Sequence, residues 1–270
     1  MAQRARDGGA FAHFAGGFVS GELGAAASGG AQKGSPWALY QRLSKAAPSP
    51  FSSMLALGDT TIVSTTPELL LAAEPGKTPG TFGRLVTEPI KGTRPRGVHF
   101  AADSALAAEL DADPKERAEL SMIVDVERND LGRVAKVGSV RLVEQPHVVA
   151  HRTVFHRLAR VCAEARDDID RTEVLLSMVP SGSVTGAPKV RAMEVIATLE
   201  TKRRGLYTGA IGMVRHDGGM VLSMAIRTVV LAGNEGEYWT GGGIVADSDP
   251  ERELLETRWK AAQLMRAAGG

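Results

Sequence analysis

The alternation of apolar and polar residues predicts strands in several parts of this chain, most clearly in the stretch 51–73. "FSSMLALGDTTIVSTTPELLLAA" holds two alternating runs around Gly58 and Asp59, a pattern typical of a β-hairpin. Further extended segments are predicted at "LVTEPI", "SVRLVEQPHVVA" and "RTVFHRLARVCAEA". The stretches "YTGAIGMVRH", "GGMVLSMAIRTVVLAG" and "EGEYWTGGGIV" predict an antiparallel meander with Asp217 and Gly218 in its turn.

Helices are predicted where a capping side chain directly precedes a proline, because proline fits the first helical position. Three such starts are Ser35-Pro36, Asp113-Pro114 and Asp249-Pro250. Two more helices are predicted at "RTEVLLSMV" and, after Pro188, at "KVRAMEVIATLE". Since the strands arrive in antiparallel groups with helices between them, the fold class predicted is α+β rather than a parallel βαβ fold.

The first 36 residues are rich in glycine and alanine, and "GELGAAASGGAQKGS" has neither helical nor strand periodicity. Such a composition favours a flexible segment over 1–36. Residues 37–270 are then expected to form one folded domain.

The composition excludes several classes of function. Lys plus Arg number 32 and Asp plus Glu number 31, a net charge of +1, so no global field favours nucleic acid and an anionic ligand must be held by local groups. The single Cys162 excludes an internal disulfide and a cysteine-based zinc site. The chain has no apolar signal region and no apolar run of membrane-spanning length. A soluble, cytoplasmic protein without nucleic-acid or membrane partners is therefore expected.

Two pairs of glutamates suggest a metal site. Glu116 and Glu119 lie three residues apart on one predicted helix, and Glu253 and Glu256 repeat that spacing on the last helix, so each pair projects from one helix face. If the two faces meet, the carboxylates suit Mg²⁺. The alternative is local, because Glu116 follows Asp113 by three residues and could complete a capping box.

Three other stretches hold candidate binding groups, each with an ordinary alternative. "PSGSVTGAPK" could present backbone N–H groups to an anion or simply start a helix. Arg227, in the predicted strand around "AIRT", either meets a carboxylate or is solvated. Lys260 follows Glu256 by four residues and could pair with it. Lys91, in the constrained loop "PIKGTRPRG", is either functional or a solvated lysine.

Together these blocks resemble the chorismate-utilising enzymes, the family of anthranilate synthase and aminodeoxychorismate synthase large subunits. The blocks are "PIKGTRPRG", "IVDVERNDLGRV", "PSGSVTGAPKVRAMEVI", "YTGAIG", "AIRT" and "GGGIVADSDPERELLET", and the resemblance runs from about Trp37 to Met265. It implies that 37–270 is a chorismate-binding catalytic domain of antiparallel sheets layered with helices.

The resemblance also implies a layout for the site. Glu119 and Glu256 correspond to Mg²⁺ ligands, with Glu116 and Glu253 acting through water, and the metal holds the ring carboxylate of chorismate. Glu68, in "TTPELLL", corresponds to the acid that protonates the departing 4-hydroxyl. The implied substrate contacts are Thr93, His151, Thr185, Gly186, Tyr207, Arg227, Gly241, Gly243 and Lys260. At His151 this chain departs from the family pattern H-x-x-S, because it reads "HRTV" and lacks the serine.

The residue at position 91, a lysine, indicates which product is expected. Family members with alanine at this position resemble anthranilate synthases, and those with lysine resemble aminodeoxychorismate synthases. The resemblance therefore implies component I of aminodeoxychorismate synthase, which takes chorismate and ammonia from a glutamine amidotransferase subunit to make 4-amino-4-deoxychorismate for p-aminobenzoate and folate. Two alternatives stay open: anthranilate synthase component I, and a truncated homologue that binds chorismate without turnover.

The start of the chain departs from the family pattern. The resemblance implies a longer N-terminal portion, which is expected to be shortened here, and a strand resembling "IYQVNLSQR" before the "PWALY" helix. This chain has "GELGAAASGGAQKG" in that place, and glycines and alanines form poor strands. A missing strand and an exposed sheet edge are therefore expected.

Overall fold

The computed structural model describes residues 11–22, 35–233, 235–245 and 248–269, of which 11–22, Trp259 and 263–269 are described by their backbone. In these ranges the strands are β1 (Phe11–Glu22), β2 (Ser53–Leu57), β3 (Thr60–Ser64), β4 (Leu69–Pro75), β5 (Phe82–Glu88), β6 (Ile90–Pro95), β7 (Arg141–Ala150), β8 (Val154–Glu164), β9 (Gly186–Ala187), β10 (Ala210–Val214), β11 (Met220–Met224), β12 (Thr228–Ala232) and β13 (Glu235–Ile244). The helices are α1 (Pro36–Ala46), α2 (Phe100–Ala112), α3 (Pro114–Gly132), α4 (Arg171–Met178), α5 (Gly182–Thr185), α6 (Lys189–Leu199) and α7 (Pro250–Gly269). The mixture of helices and antiparallel sheets confirms the predicted α+β class.

The chain folds into two compact units. The first unit is Met1–Pro67, Val184–Gly209 and Ala225–Gly270, and the second is Glu68–Ser183 and Ala210–Met224. Each unit is therefore built from segments that are distant in sequence, and the assignment of 37–270 to one catalytic domain stays a prediction.

The first unit contains a sheet with the strand order β2-β3-β12-β13-β1-β9. Helix α1 starts at the predicted cap, where Ser35 Oγ accepts from the N–H of Ala38 at 3.1 Å. Its buried residues Leu39 and Leu43 lie one turn apart and pack with Val63 of β3 and Val229 of β12. The hairpin predicted around Gly58 joins β2 to β3 and is confirmed.

The second unit contains a sheet with the strand order β10-β11-β4-β5-β8-β6, and β7 also pairs with β8. Helix α3 belongs to this unit and begins at the predicted Asp113 cap. Its apolar face is buried at Leu120, Ile123, Val124 and Leu131, a spacing typical of a helix with one face in the core.

Several predictions about elements were wrong. The stretch predicted as one strand around Arg227 is two strands, β11 and β12, which belong to different sheets. Arg227 lies at the break with a φ of 50°, so it does not sit within a strand. The loop holding Lys91 is strand β6, and helix α2 was not predicted.

The start of the chain also differs from expectation. Strand β1 lies inside the segment predicted to be flexible, and it pairs with both β13 and β9. A strand therefore does precede α1, in "FAHFAGGFVSGE" rather than in the Gly/Ala-rich stretch. Residues 1–10 and 23–34 lie outside the described residues. Within the described part of the chain, no helix is long and apolar enough to cross a membrane.

The cap of α3 gives a prediction about stability. Asp113 accepts from the N–H groups of Lys115 at 2.9 Å and Glu116 at 3.2 Å, and from Arg94 Nη2 at 2.8 Å. Asp113→Ala leaves these donors without that acceptor, so the free energy of unfolding in urea should fall by about 1–2 kcal/mol. Asp125→Ala, an exposed change on the same helix, should shift it by less than about 0.5 kcal/mol; equal losses would contradict the capping role.

Candidate active site

Lys91 is aimed by an irregularity in strand β6. The pairing of β6 with β8 shifts register between Lys91 and Thr93, and Gly92 between them has a φ of 79°. An extra residue in one strand re-aims the neighbouring side chains. Lys91 Nζ donates to the backbone carbonyl of Ser183 at 3.0 Å.

Gly92 is required by its neighbours as well as by its backbone. A Cβ on this residue would lie 2.7 Å from Leu110 Cδ1 and 3.0 Å from Glu116 Oε2. A side chain would therefore displace Glu116 and strain a backbone conformation that glycine adopts readily. The bulge that aims Lys91 is thus packed directly against one of the predicted metal-binding glutamates.

Glu68 lies immediately before β4 and is buried, with 5% of its surface exposed. Its Oε1 accepts a hydrogen bond from Ser183 Oγ at 2.8 Å, and its backbone carbonyl accepts from the N–H of Met224 at 3.0 Å. Ser183 therefore contacts both predicted catalytic side chains, Lys91 through its carbonyl and Glu68 through its hydroxyl.

A second layer of polar groups supports Ser183. The N–H of Ser183 donates to Ser181 Oγ at 3.0 Å, and Ser181 Oγ donates to Glu127 Oε1 at 2.7 Å. Glu127 Oε2 accepts from Thr87 Oγ1 at 3.3 Å. All four side chains are buried, so the bonds among them replace bonds to water.

These supporting residues were missed by sequence reasoning, although two signals were present. Glu127 falls on the apolar stripe of α3, between Val124 and Leu131, and a glutamate in such a position needs a partner. Ser181 lies in "PSGSVTGAPK", which was considered only for its backbone N–H groups. Gly182 in the same motif allows close packing, since a Cβ there would lie 2.1 Å from Val126 Cγ1.

Glu116 and Glu119 lie together on the first two turns of α3, with side chains 19% and 14% exposed. Burial raises the pKa of the Glu116 carboxyl to about 6, and repulsion from Glu119 and Asp113 contributes to the same rise. Arg94 Nη1 lies 3.8 Å from Glu116 Oε1 and opposes the rise. The pair is thus a crowded set of hard oxygen donors, which suits a divalent cation such as Mg²⁺.

The second predicted acidic pair, Glu253 and Glu256, lies in the first unit on α7. Glu253 is buried and its Oε1 accepts from Ser248 Oγ at 2.8 Å. Glu256 Oε1 pairs with Lys260 Nζ at 2.7 Å, the local pairing considered above, and Lys260 Nζ also donates to the carbonyl of Gly241 at 3.0 Å. Gly241 and Lys260, both predicted substrate contacts, are therefore in contact with each other.

Among the described residues, no group of three or more His, Cys, Asp and Glu side chains is arranged to hold a metal ion. The donor chemistry of each glutamate pair fits Mg²⁺, and the shared ion stays a prediction.

Tyr207 and Arg227 lie at two backbone positions next to strands. Tyr207 is buried and stacks on Trp239, with ring centroids 6.0 Å apart. Burial raises the pKa of the Tyr207 hydroxyl above its ordinary value. The backbone carbonyl of Arg227 accepts from the N–H of Thr65 at 3.1 Å, which fixes the turn into β12.

The remaining predicted contacts occupy defined positions. Thr185 is buried at the end of α5, and Gly186 pairs with Ala12 of β1. Gly243 lies on β13, opposite His13 of β1.

Thr93 and His151 lie near a buried histidine of the second unit. Thr93 Oγ1 lies 3.1 Å from His156 Nδ1. His151 lies at the turn between β7 and β8, with its ring 5.3 Å from that of His156. Contact of either residue with a substrate stays a prediction.

Two relatives and one solved structure are similar to this chain over most of its length. Anthranilate synthase component 1 from Thermus thermophilus is 45% identical over 86% of this chain and 49% of its own length. Aminodeoxychorismate synthase from Streptomyces griseus is 43% identical over 86% of this chain and 31% of its own length. The crystal structure of anthranilate synthase component I from Streptococcus pneumoniae superimposes with a TM-score of 0.84 at 33% identity, covering 98% of this chain and 55% of that one.

The chain therefore spans about half or less of the length of these relatives, and they carry both names that the sequence suggested. A family model described as chorismate binding enzyme matches residues 25–266. That match covers most of the chain and includes both predicted catalytic residues, so the protein belongs to the chorismate binding enzyme family.

Proposed function

We propose that this chain carries the catalytic machinery of an aminodeoxychorismate synthase component I, which converts chorismate and ammonia to 4-amino-4-deoxychorismate. The observation that supports the proposal most directly is the convergence of Lys91 and Glu68 on Ser183, at 3.0 Å and 2.8 Å. A nucleophilic amine and a carboxylic acid held by one residue are the two groups that displacement of a hydroxyl requires. We propose chorismate and ammonia as the substrates, and a partner subunit as the source of the ammonia.

The reaction follows from these two groups. The neutral amine of Lys91 attacks C2 of chorismate while Glu68 gives its proton to the 4-hydroxyl, which leaves as water. The lysine then loses a proton to the carboxylate of Glu68, which restores the acid. Ammonia attacks C4 while Glu68 gives its proton to the Lys91 nitrogen, which leaves C2 as a neutral amine, so the amino group ends at the carbon that lost the hydroxyl. The new C4 ammonium then returns a proton to Glu68. Splitting the displacement into two steps is the gain from covalent catalysis.

We also propose that Glu119 and Glu256 bind Mg²⁺, with Glu116 and Glu253 acting through water. When bound, the ion would supply positive charge for the ring carboxylate of chorismate. The residues of this chain have their own tasks: Arg94 limits repulsion at Glu116, and Ser248 holds one oxygen of Glu253.

A second candidate function is anthranilate synthase component I. The two similar proteins with that name, at 45% and 33% identity, favour it. The two candidates differ in which carbon of chorismate receives ammonia, so a product assay separates them.

The first prediction from the proposed function concerns Lys91. Wild-type protein supplied with chorismate, Mg²⁺ and ammonium should give p-aminobenzoate after a downstream lyase is added. Lys91→Ala should lower this yield by at least about 10³-fold, the scale expected when a covalent nucleophile is removed. Without ammonium, intact-mass spectrometry of the wild type should show an adduct with the mass of chorismate less one water, and Lys91→Ala should lack it.

The control for this experiment is Lys77→Ala, an exposed lysine of the same unit, which should retain product and adduct. Anthranilate as the sole wild-type product would overturn the proposal in favour of the second candidate. Chorismate binding with no product of either kind would identify a binding protein instead.

The second prediction concerns the metal. Glu119→Gln and Glu256→Gln should each weaken Mg²⁺ binding in calorimetric titrations and abolish turnover, and the double variant should lose no more than either single one, because residues acting on one ion are not additive. Glu251→Gln, an exposed change on the same helix as Glu256, should bind Mg²⁺ as the wild type does. Independent, additive losses would show that these glutamates do not share an ion.

The third prediction concerns the source of ammonia, which we propose to be a separate glutamine amidotransferase subunit. Free ammonium should support turnover by this chain alone, whereas glutamine should support it only after such a subunit is added. Turnover with glutamine by the purified chain would contradict this division of labour.

A further inference from the structure

Ser183 contacts both side chains that the proposed chemistry uses. Its hydroxyl donates to Glu68 Oε1 at 2.8 Å, and its carbonyl accepts from Lys91 Nζ at 3.0 Å. We propose that Ser183 is a positioning residue, which fixes the acid relative to the amine and selects the oxygen of Glu68 that carries the proton. The catalytic part of this inference rests on the proposed function.

The selection of an oxygen follows from the direction of the hydrogen bond. The hydroxyl proton of Ser183 points at Glu68 Oε1, and a second proton on that oxygen would face it. The proton that Glu68 delivers is therefore carried by Oε2. The last torsion of a glutamate is broad, so this contact also limits rotation of the carboxyl group.

Ser183 is itself held by hydrogen bonds that run through Ser181 to Glu127. Its N–H donates to Ser181 Oγ at 3.0 Å. The Ser181 hydroxyl in turn donates its proton to Glu127 Oε1 at 2.7 Å. Because that proton goes to Glu127, the Ser181 oxygen is left as an acceptor for the N–H of Ser183. Glu127 thus acts on Lys91 and Glu68 through two serines.

Burial makes this arrangement rigid. Ser183 and Glu127 are 1% and 2% exposed. Water competes little for hydrogen bonds between groups as buried as these. Moving Ser183 would break its hydrogen bonds to Glu68, Lys91 and Ser181, at a cost in stability. The position of the catalytic pair is therefore coupled to the core of the second unit.

A purely structural role for Ser183 makes a different prediction, and Ser177 provides the comparison. Ser177 is buried in the same unit, and its hydroxyl donates to the carbonyl of Val174 at 2.8 Å, within helix α4. Ser177→Ala thus removes a buried serine hydroxyl that touches neither Lys91 nor Glu68.

The experiment measures kcat and KM for chorismate at saturating ammonium. Ser183→Ala keeps the carbonyl that Lys91 contacts and removes the hydroxyl, so kcat should fall about 100-fold, the lower end for loss of general acid catalysis, while KM changes little. Ser183→Thr restores a hydroxyl and should return kcat to near the wild-type value. Ser177→Ala should leave kcat unchanged, and Ser181→Ala should give a smaller loss than Ser183→Ala.

A second measurement does not depend on turnover. In protein labelled with ¹³C-glutamate, the carboxyl resonance that disappears in Glu68→Gln belongs to Glu68. This resonance should move in Ser183→Ala, return in Ser183→Thr and stay in place in Ser177→Ala, because only the first change removes its hydrogen-bond donor. If Ser183→Ala fails to fold, Ser183→Cys, which is nearly isosteric with a weaker donor, takes its place.

The outcomes separate the two proposals. An active wild type with Ser183→Ala retaining its kcat would overturn the role of Ser183, as would a loss that Ser183→Thr does not rescue. A wild type without product would overturn the proposed function. The Glu68 resonance would still test the contact between Ser183 and Glu68, and an unmoved resonance in Ser183→Ala would overturn that contact as well.

Discussion

The need to pair buried polar groups is the constraint on which the candidate site depends. Glu127 places a carboxylate in the core, and burying such a group without partners is expensive. Hydroxyls from Thr87 and Ser181 meet it at 3.3 Å and 2.7 Å. Because the Ser181 hydroxyl donates to Glu127, its oxygen accepts from the N–H of Ser183, so pairing one buried carboxyl group also fixes the residue that touches Lys91 and Glu68.

A second constraint acts at the start of α3. Three carboxylates occur there, at Asp113, Glu116 and Glu119, and the positive end of the helix dipole favours negative charge in this position. Arg94, on β6, bonds Asp113 and lies near Glu116. The strand that carries the proposed nucleophile therefore also carries one of the two cations, with Lys115 of α3, that limit repulsion at Glu116.

The comparisons define the family and leave the product to local chemistry. Relatives named for both products match this chain at 45% and 43% identity, so overall identity does not separate the two products. In the function proposed here the distinction rests instead on one side chain, Lys91, since an amine at that place can act as a nucleophile and a methyl group cannot. A fold supports several chemistries, and the site decides among them.

The sequence by itself determined the capped helix starts, the hairpin around Gly58, the family and the identities of the proposed catalytic residues. Helix starts at Ser35 and Asp113 were predicted because capping is a contact between neighbours in sequence. The tertiary structure alone decided which distant residues meet. Arg227 interrupts a stretch that the hydrophobic pattern predicted as one strand, because the residues before it form β11 in one sheet and the residues after it form β12 in the other. Ser183 meets Glu68 across 115 residues of sequence, and no local propensity encodes such a contact. It follows from packing, which brings together the buried polar groups that must bond.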